Sequence, residues 1–561
     1  MHHRFRIRAG RAGLGLLLAV AIAARVSAED SPGQADLDSA IETKLSADQL
    51  EDYATVLELC NRALKKGLAE DSRKFAEELY IGTLVDRSAM LVEAIFNGRK
   101  PDAQWPRLRA FALRDLGEVL EKSPANGQAL LMVARLESLP GGNRDRAAEA
   151  AGKAVEALGD DRLQLARAHM VLGAVAAPEK RLGHLDKAIE LAPRDVEIRR
   201  ARAHARLVAD QFDAAREDLL VAGEEDPDDA AIFEALGLAC TMADRLDEAE
   251  EAFDKALELA PDSPGVLLQR ARLLAVRGKQ DRSLADVGKA IELAPDDPQP
   301  RVLRARILQQ AGENDKALAE IEGVLRDAPD NASALEMRGL MAAERDDYPA
   351  AIRDFRRLVA RNGDDAVLVS QLGALYLAAK QPREAIRRFT RALEIDEEHF
   401  PSRRGRSDAA ISIGDHKAAL ADLEKALELR PDDSGVLNNL AWLLATSPDD
   451  GIRNGKRAIA LAEKACEKTE WKQPHIISTL AAGHAESGDF AAARKFSKQA
   501  VEATEKETEI RGQLEKELAS YEASKPWRER QELADAADTP PAREPAQPEE
   551  PRPRRRPFDE P

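Results

Sequence analysis

The sequence predicts an all-α protein built as a solenoid of helix-turn-helix repeats. Three observations predict it: the chain is too long for a single core, its composition favours helices, and a proline punctuation returns every 34 residues. At 561 residues the chain must form several domains or an array of similar units. Only 4 % of the residues are aromatic, while Ala, Leu, Glu, Arg and Asp dominate, a palette of helix formers with small residues for close helix packing. A stacked-sheet protein would carry more Val, Ile, Thr and Tyr.

Residues 1–28 read as a secretory signal peptide. His2 to Arg11 is basic, Ala12 to Ala24 is uncharged and mostly apolar, and Val26-Ser27-Ala28 places small residues at a cleavage position. The apolar run is too short to span a bilayer comfortably, so the expectation is an exported protein, periplasmic or secreted, with no membrane span once the signal is removed. No Cys follows the run to take a lipid. The formal charge is −18, and loss of Arg4, Arg6, Arg8, Arg11 and Arg25 with the signal would make it −23. Such a chain repels phosphate backbones and anionic lipid, which argues against nucleic acid and membrane surfaces as partners. Cys60, Cys240 and Cys466 are scattered in apolar helical stretches and read as packing residues rather than a disulfide framework.

The repeat itself follows from the punctuation. Pro193, Pro227, Pro261, Pro295 and Pro329 stand 34 residues apart, and the same step reaches Gly363, Glu397 and Pro431 in one direction and Gly159 in the other. In the unit from Ala230 to Pro261, Phe233, Leu236, Gly237 and Cys240 form one stripe at helical spacing, and Ala249, Phe253 and Ala256 form a second. Each unit is therefore two short helices. Gly237 and Ala249 are small where the helices approach, and Pro261 stops the second helix.

These positions resemble the tetratricopeptide repeat family, whose signature of large, Leu, Gly, aromatic, Ala, Phe, Ala and Pro is met here at all but Cys240. The unit beginning at Ala366 resembles it too, through Leu372, Gly373, Tyr376, Ala385, Phe389 and Ala392. The resemblance implies a right-handed superhelical solenoid whose first helices line a concave face that binds partner segments. Further details are similar to exported multi-repeat members of planctomycete-type bacteria: Asn438 to Thr446, Asn454-Gly455, Lys464-Ala465-Cys466 and Lys525-Pro526-Trp527-Arg528.

The organisation expected from this register is a signal peptide over 1–28 and degenerate helical repeats over 29–127, with a loop insertion from Asn97 to Trp105. Nine units then fill 128–433, and two further units fill 434–502, the first with a longer inter-helix loop. A capping helix over 503–532 should cover the last apolar face. Residues 533–561, rich in Pro and Arg, cannot bury a core and are expected to be disordered.

Two sets of charged residues stand out. The seventh position of the repeat, normally Leu, is Arg202, Arg270, Arg304, Arg338 and Arg406, and sixteen residues later stand Asp218, Asp286, Glu320, Asp354 and Asp422. Where the position is Leu236, Leu372 or Leu480, the later residue is Ala252, Arg388 or Phe496. An acid that accompanies the Arg predicts a salt bridge between the two helices of a unit, because buried charges are paired. The second set lies where the family exposes its first helices: Arg272 and Arg306 on equivalent positions of neighbouring units, with Arg200, Arg404 and Asn438. These are the candidate partner contacts.

No constellation for catalysis emerges. The histidines outside the signal segment, His169, His184, His204, His399, His416, His475 and His484, are isolated in sequence, and no pair has zinc spacing. Gly141-Gly142 lacks the Lys-Ser or Lys-Thr of a phosphate loop, and acid pairs such as Asp296-Asp297 and Asp432-Asp433 read as helix caps. The sequence thus implies no cofactor, no metal and no enzyme. It predicts a scaffold or adaptor that holds proteins outside the cytoplasm. The alternative is an accessory subunit of a cell-envelope enzyme or transport system that binds a small or polymeric ligand, and the Arg-rich tail is a second candidate recognition element.

Overall fold

A computed structural model describes residues 31–96, 104–505 and 508–529. The signal segment, most of the expected loop insertion and the Pro/Arg-rich tail lie outside the described residues. Among the described residues there are 27 helices and no strand, an all-α solenoid.

The first four helices, α1 (Gln34–Ser46), α2 (Leu50–Lys66), α3 (Glu70–Phe96) and α4 (Trp105–Lys122), have unequal lengths, and α3 runs to 27 residues. From Gly127 to Leu429, α5–α22 alternate regularly as nine helix pairs. Among them are α9 (Val196–Val208) with α10 (Phe212–Glu225), α11 (Ala230–Met242) with α12 (Leu246–Leu259), and α13 (Pro264–Val276) with α14 (Gln280–Leu293). Two further pairs follow: α23 (Ser434–Thr446) with α24 (Gly455–Lys468), separated by a long loop, and α25 (Pro474–Glu486) with α26 (Phe490–Glu502). The final helix, α27, spans Glu509–Glu522.

Local chemistry sets both ends of each pair. Two residues past the proline lattice, Asp195, Asp229, Asp297, Asn331, Asp365 and Asp433 accept a hydrogen bond from an amide of the first turn, so the first helix starts at a fixed register. The turn between the helices needs one left-handed residue. Asp210, Asp244, Gly278, Gly312, Asp346, Lys380 and Gly414 supply it, again 34 apart.

Packing between the two helices is close at the small positions. A Cβ on Gly237 would lie 2.6 Å from the Phe253 ring, and one on Gly373 would lie 2.9 Å from Phe389. Phe253 and Phe389 are buried at those crossings, each stabilising its unit by about 2–3 kcal/mol through removal of apolar surface from water. Cys60, Cys240 and Cys466 are free and buried. Burial pushes the Cys60 and Cys466 thiols up to about 11, which leaves them protonated and inert.

The chain divides into two compact units, Met1–Leu293 and Ala294–Pro561. In the first, a core around Leu236, Phe253 and Leu267 joins successive repeats. In the second, a core around Leu423, Leu440 and Tyr521 ties α23 to the C-terminal segment.

The cap differs from the uninterrupted helix expected over 503–532. Helix α27 stops at Glu522, Ser524 takes a left-handed conformation, and Pro526 follows, so residues 525–529 run as a non-helical strap. The strap folds back onto α23 and α25. The Glu529 amide donates to the Thr446 carbonyl at 3.1 Å, Arg528 Nη2 lies 2.6 Å from Glu486 Oε2, and Trp442 Nε1 bonds the Glu529 carboxylate.

Candidate interaction surface

The seventh-position arginines and their acids form hydrogen-bonded ion pairs inside each unit. Arg202 donates to Asp218 through Nε at 2.8 Å and Nη2 at 2.7 Å, and Arg270 meets Asp286 with the same two distances. Arg338 with Asp354 and Arg406 with Asp422 are also two-pronged, every contact at 2.7 Å. Arg304 reaches Glu320 with one bond only, at 2.6 Å. The acids are the buried partners: Asp218, Asp286, Asp354 and Asp422 are enclosed, and each guanidinium covers one of them. Bonding to Asp286 holds the Arg270 guanidinium above its ordinary value, against burial.

A third contact was not anticipated from the sequence. Sixteen residues before the Arg, on the second helix of the preceding unit, stands another acceptor. Arg202 Nη1 donates to Asp186 at 2.7 Å, Arg270 Nη1 to Asp254 at 2.6 Å, and Arg406 Nη1 to Thr390 Oγ1 at 3.1 Å. Each of these arginines thereby joins two repeats. The position before Arg304 is Gly288, which offers no side chain, and that pair is the looser one. The signal was present as the sixteen-residue spacing read backwards.

Other buried charges are paired as well. Arg87 and Asp115 are both buried and joined at 2.7 Å, and Glu250 is held by Arg277 at 2.7 Å and Lys279 at 2.8 Å and by Arg282. Burial raises the Asp115 carboxyl, with Arg87 opposing it. His169 and His184, isolated in sequence, are brought together with ring centroids 5.8 Å apart. Burial first, and neighbouring cationic groups second, lower both. Among the described residues no group of His, Cys, Asp and Glu has the arrangement to hold a metal ion.

The exposed face of the first helices is different. Arg272 and Arg306 are exposed, one in each compact unit; Arg272 Nη1 donates to Gln269 at 3.2 Å, and neither arginine has an ion pair among the described residues. Arg404 is exposed and likewise without an ion pair, whereas Arg200 is bound to Asp229 at 2.7 Å. Asn438 is half-buried beside a cleft of about 560 Å³ lined by Asn439, Trp442, His475, Ser478 and Glu517 among others. Its Nδ2 donates to Asn439 at 3.2 Å, Asn439 donates to Asp408 at 2.8 Å, and the buried Asn438 Oδ1 has no partner. Burial raises the Glu517 carboxyl, against hydrogen bonds from Ser478 and Gln513.

Ion-paired arginines between the helices of each unit, with other arginines exposed on the first helices, belong to a helical repeat protein. Residues 200–264, 302–366 and 371–434 match the tetratricopeptide repeat model, so these stretches are tetratricopeptide repeats. No curated protein matches the chain. Among solved structures it is similar to a tetratricopeptide repeat protein from Parabacteroides merdae, at 17 % identity over 44 % of this chain and 96 % of that one, with a TM-score of 0.34. Yeast Tom70 aligns at 18 % identity over 74 % and 96 % with a TM-score of 0.31. YrrB, described as having an unusual peptide-binding site, aligns at 22 % identity over 34 % and 97 % with a TM-score of 0.30. No helix among the described residues is long and apolar enough to cross a membrane.

Proposed function

We propose that the protein is an interaction scaffold or adaptor, acting outside the cytoplasm, that holds segments of partner proteins on the concave face its first helices are expected to form. One observation carries the reading: ion pairs engage the arginines between the helices of a unit, while Arg272, Arg306 and Arg404 face solvent without one. A guanidinium that is not needed for packing is available to a carboxylate or a backbone carbonyl of a partner. Arg200, paired with Asp229, and the half-buried Asn438 occupy first-helix positions of the same series. Export rests on the basic, apolar and small-residue pattern of residues 1–28.

The cleft beside Asn438 favours a second reading, an accessory subunit of a cell-envelope enzyme or transport system with a small or polymeric ligand. Affinity capture from envelope and culture fractions separates the two. The scaffold reading expects specific proteins that are lost when Arg272, Arg306 and Arg404 are all changed to Glu, with the circular dichroism melt unchanged. Capture of the same proteins by that variant, or of polysaccharide alone, would overturn it.

A further inference from the structure

Within the first compact unit, the exposed sides of α9, α11 and α13 carry an apolar row. Val208, Met242 and Val276 occupy the same repeat position at the ends of three successive first helices and are 64 %, 54 % and 76 % exposed. One turn earlier stand His204, Leu238 and Arg272, and a further turn earlier Arg200, Glu234 and Leu268. Large apolar side chains at one repeat position on three successive first helices mark this side as a candidate docking surface.

Glu234, at the centre of this face, has no hydrogen bond or ion pair among the described residues. It is half-buried, and Oε1 leans toward α13, where Gly265 leaves the space open; a Cβ there would stand 3.8 Å away. Burial alone raises its carboxyl, with no cation close enough to oppose the effect. The contrast with Asp218, Glu250 and Asp286, each held by arginines or lysines, is direct. Arg272 on the same face is exposed and bonded to Gln269, so its guanidinium is open to solvent, whereas half-buried Glu234 lacks a partner.

The other compact unit displays a way of covering this repeat position. Thr446 is the residue of α23 equivalent to Val208, Met242 and Val276; it is 1 % exposed, and the strap bonds to its carbonyl. There a non-helical segment crosses the ends of two first helices, Trp527 packs against the apolar core and the neighbouring Arg528 finds the carboxylate of Glu486.

We propose that the 196–276 face binds an extended partner segment of basic and apolar residues, its apolar side chains lying on Val208, Met242 and Val276 and a Lys or Arg pairing with Glu234. This rests on the scaffold reading and names the partner chemistry of one part of it. The segment meets both requirements of the face: it removes the apolar row from water and supplies the counter-charge that Glu234 lacks.

The test uses the full-length protein and two fluorescein-labelled peptides, one alternating Leu and Arg, the other alternating Leu and Glu, with binding read by anisotropy at physiological salt. The Leu-Arg peptide is expected to bind. Glu234→Gln should weaken it by about tenfold, as loss of one half-buried charge contact predicts, while Glu251→Gln on the exposed side of α12 changes nothing. Met242→Asp should also abolish binding if the row is its seat. Equal effects of E234Q and E251Q would reduce the interaction to general attraction by an acidic protein and overturn the proposal, as would intact binding to M242D or no binding to the unaltered protein. If the peptide arm fails while the Arg272, Arg306 and Arg404 variant still loses its captured proteins, this inference falls and the scaffold reading stands.

Discussion

Arg270 and Asp286 meet fork to fork across the two helices of one repeat, while the third arm of the same guanidinium holds Asp254 of the repeat before it at 2.6 Å. One side chain thus closes its own helix pair and clamps the adjoining one. A planar, permanently charged group with its donors on three nitrogens suits this position, and Lys could not reproduce it.

Removing the arginine should be costly and removing the whole pair should not. Arg270→Ala strands Asp286 in a site where it is largely enclosed, with an expected loss on the order of 3 kcal/mol, reduced by the part of the pair that water reaches. Arg270→Leu together with Asp286→Ala recreates the Leu236 and Ala252 arrangement of the preceding unit and should lie within about 1 kcal/mol of the parent. Urea denaturation followed by circular dichroism compares them. A double variant as unstable as the single one would show that the charges themselves, not their mismatch, hold the repeat.

Two glycines inside helices carry opposite expectations. Gly237→Ala drives a methyl group into the Phe253 ring and should destabilise by about 1–3 kcal/mol. Gly288→Ala meets nothing within 4 Å in the interior of α14 and should stabilise by about 0.5–1 kcal/mol. Melting temperatures of the two single variants, moving in opposite directions, are the check.

Glu517 gives a pH dependence of definite sign. Burial raises its carboxyl in the folded state, so the folded chain holds this proton more tightly than the unfolded chain does. Its contribution to stability is therefore greatest below the ordinary Glu value of about 4.3 and is lost as pH rises toward the raised value. Glu517→Gln keeps an oxygen for the Ser478 hydroxyl and should be more stable than the parent at neutral pH, with the advantage vanishing in acid. A parent that gains on the variant as pH rises would contradict the assignment.

The strap should protect α23. Trp527→Ala with Arg528→Ala removes its packing and its contact to Glu486, so amide exchange in Ser434–Thr446 is expected to accelerate while exchange in α11 stays as it was. Unchanged protection of α23 would mean that α27 alone seals this end.

The helix pairs were legible because their causes are local and repeat: a proline lattice at 34-residue steps, Asp or Asn caps two residues after most of its points, and apolar stripes at helical spacing. Arg202 and Asp218 could be associated without coordinates, since one appears with the other along a single chain. The site was legible only as a set of positions. Arg272 and Arg306 could be placed on first helices, yet nothing in their spacing distinguishes a solvated charge from one in need of a partner.

By itself, then, the sequence determined the fold class, the 34-residue register and the five arginine–acid pairs, all consequences of periodicity and short-range propensity. Tertiary structure alone decided which groups are left over. That Arg270 also reaches Asp254, that Glu234 finds no cation, and that Trp527 turns back onto the core of α23 depend on the distances between helices of different repeats. Partner choice follows desolvation and geometry at those crossings, and neither quantity is written in the order of residues along one helix.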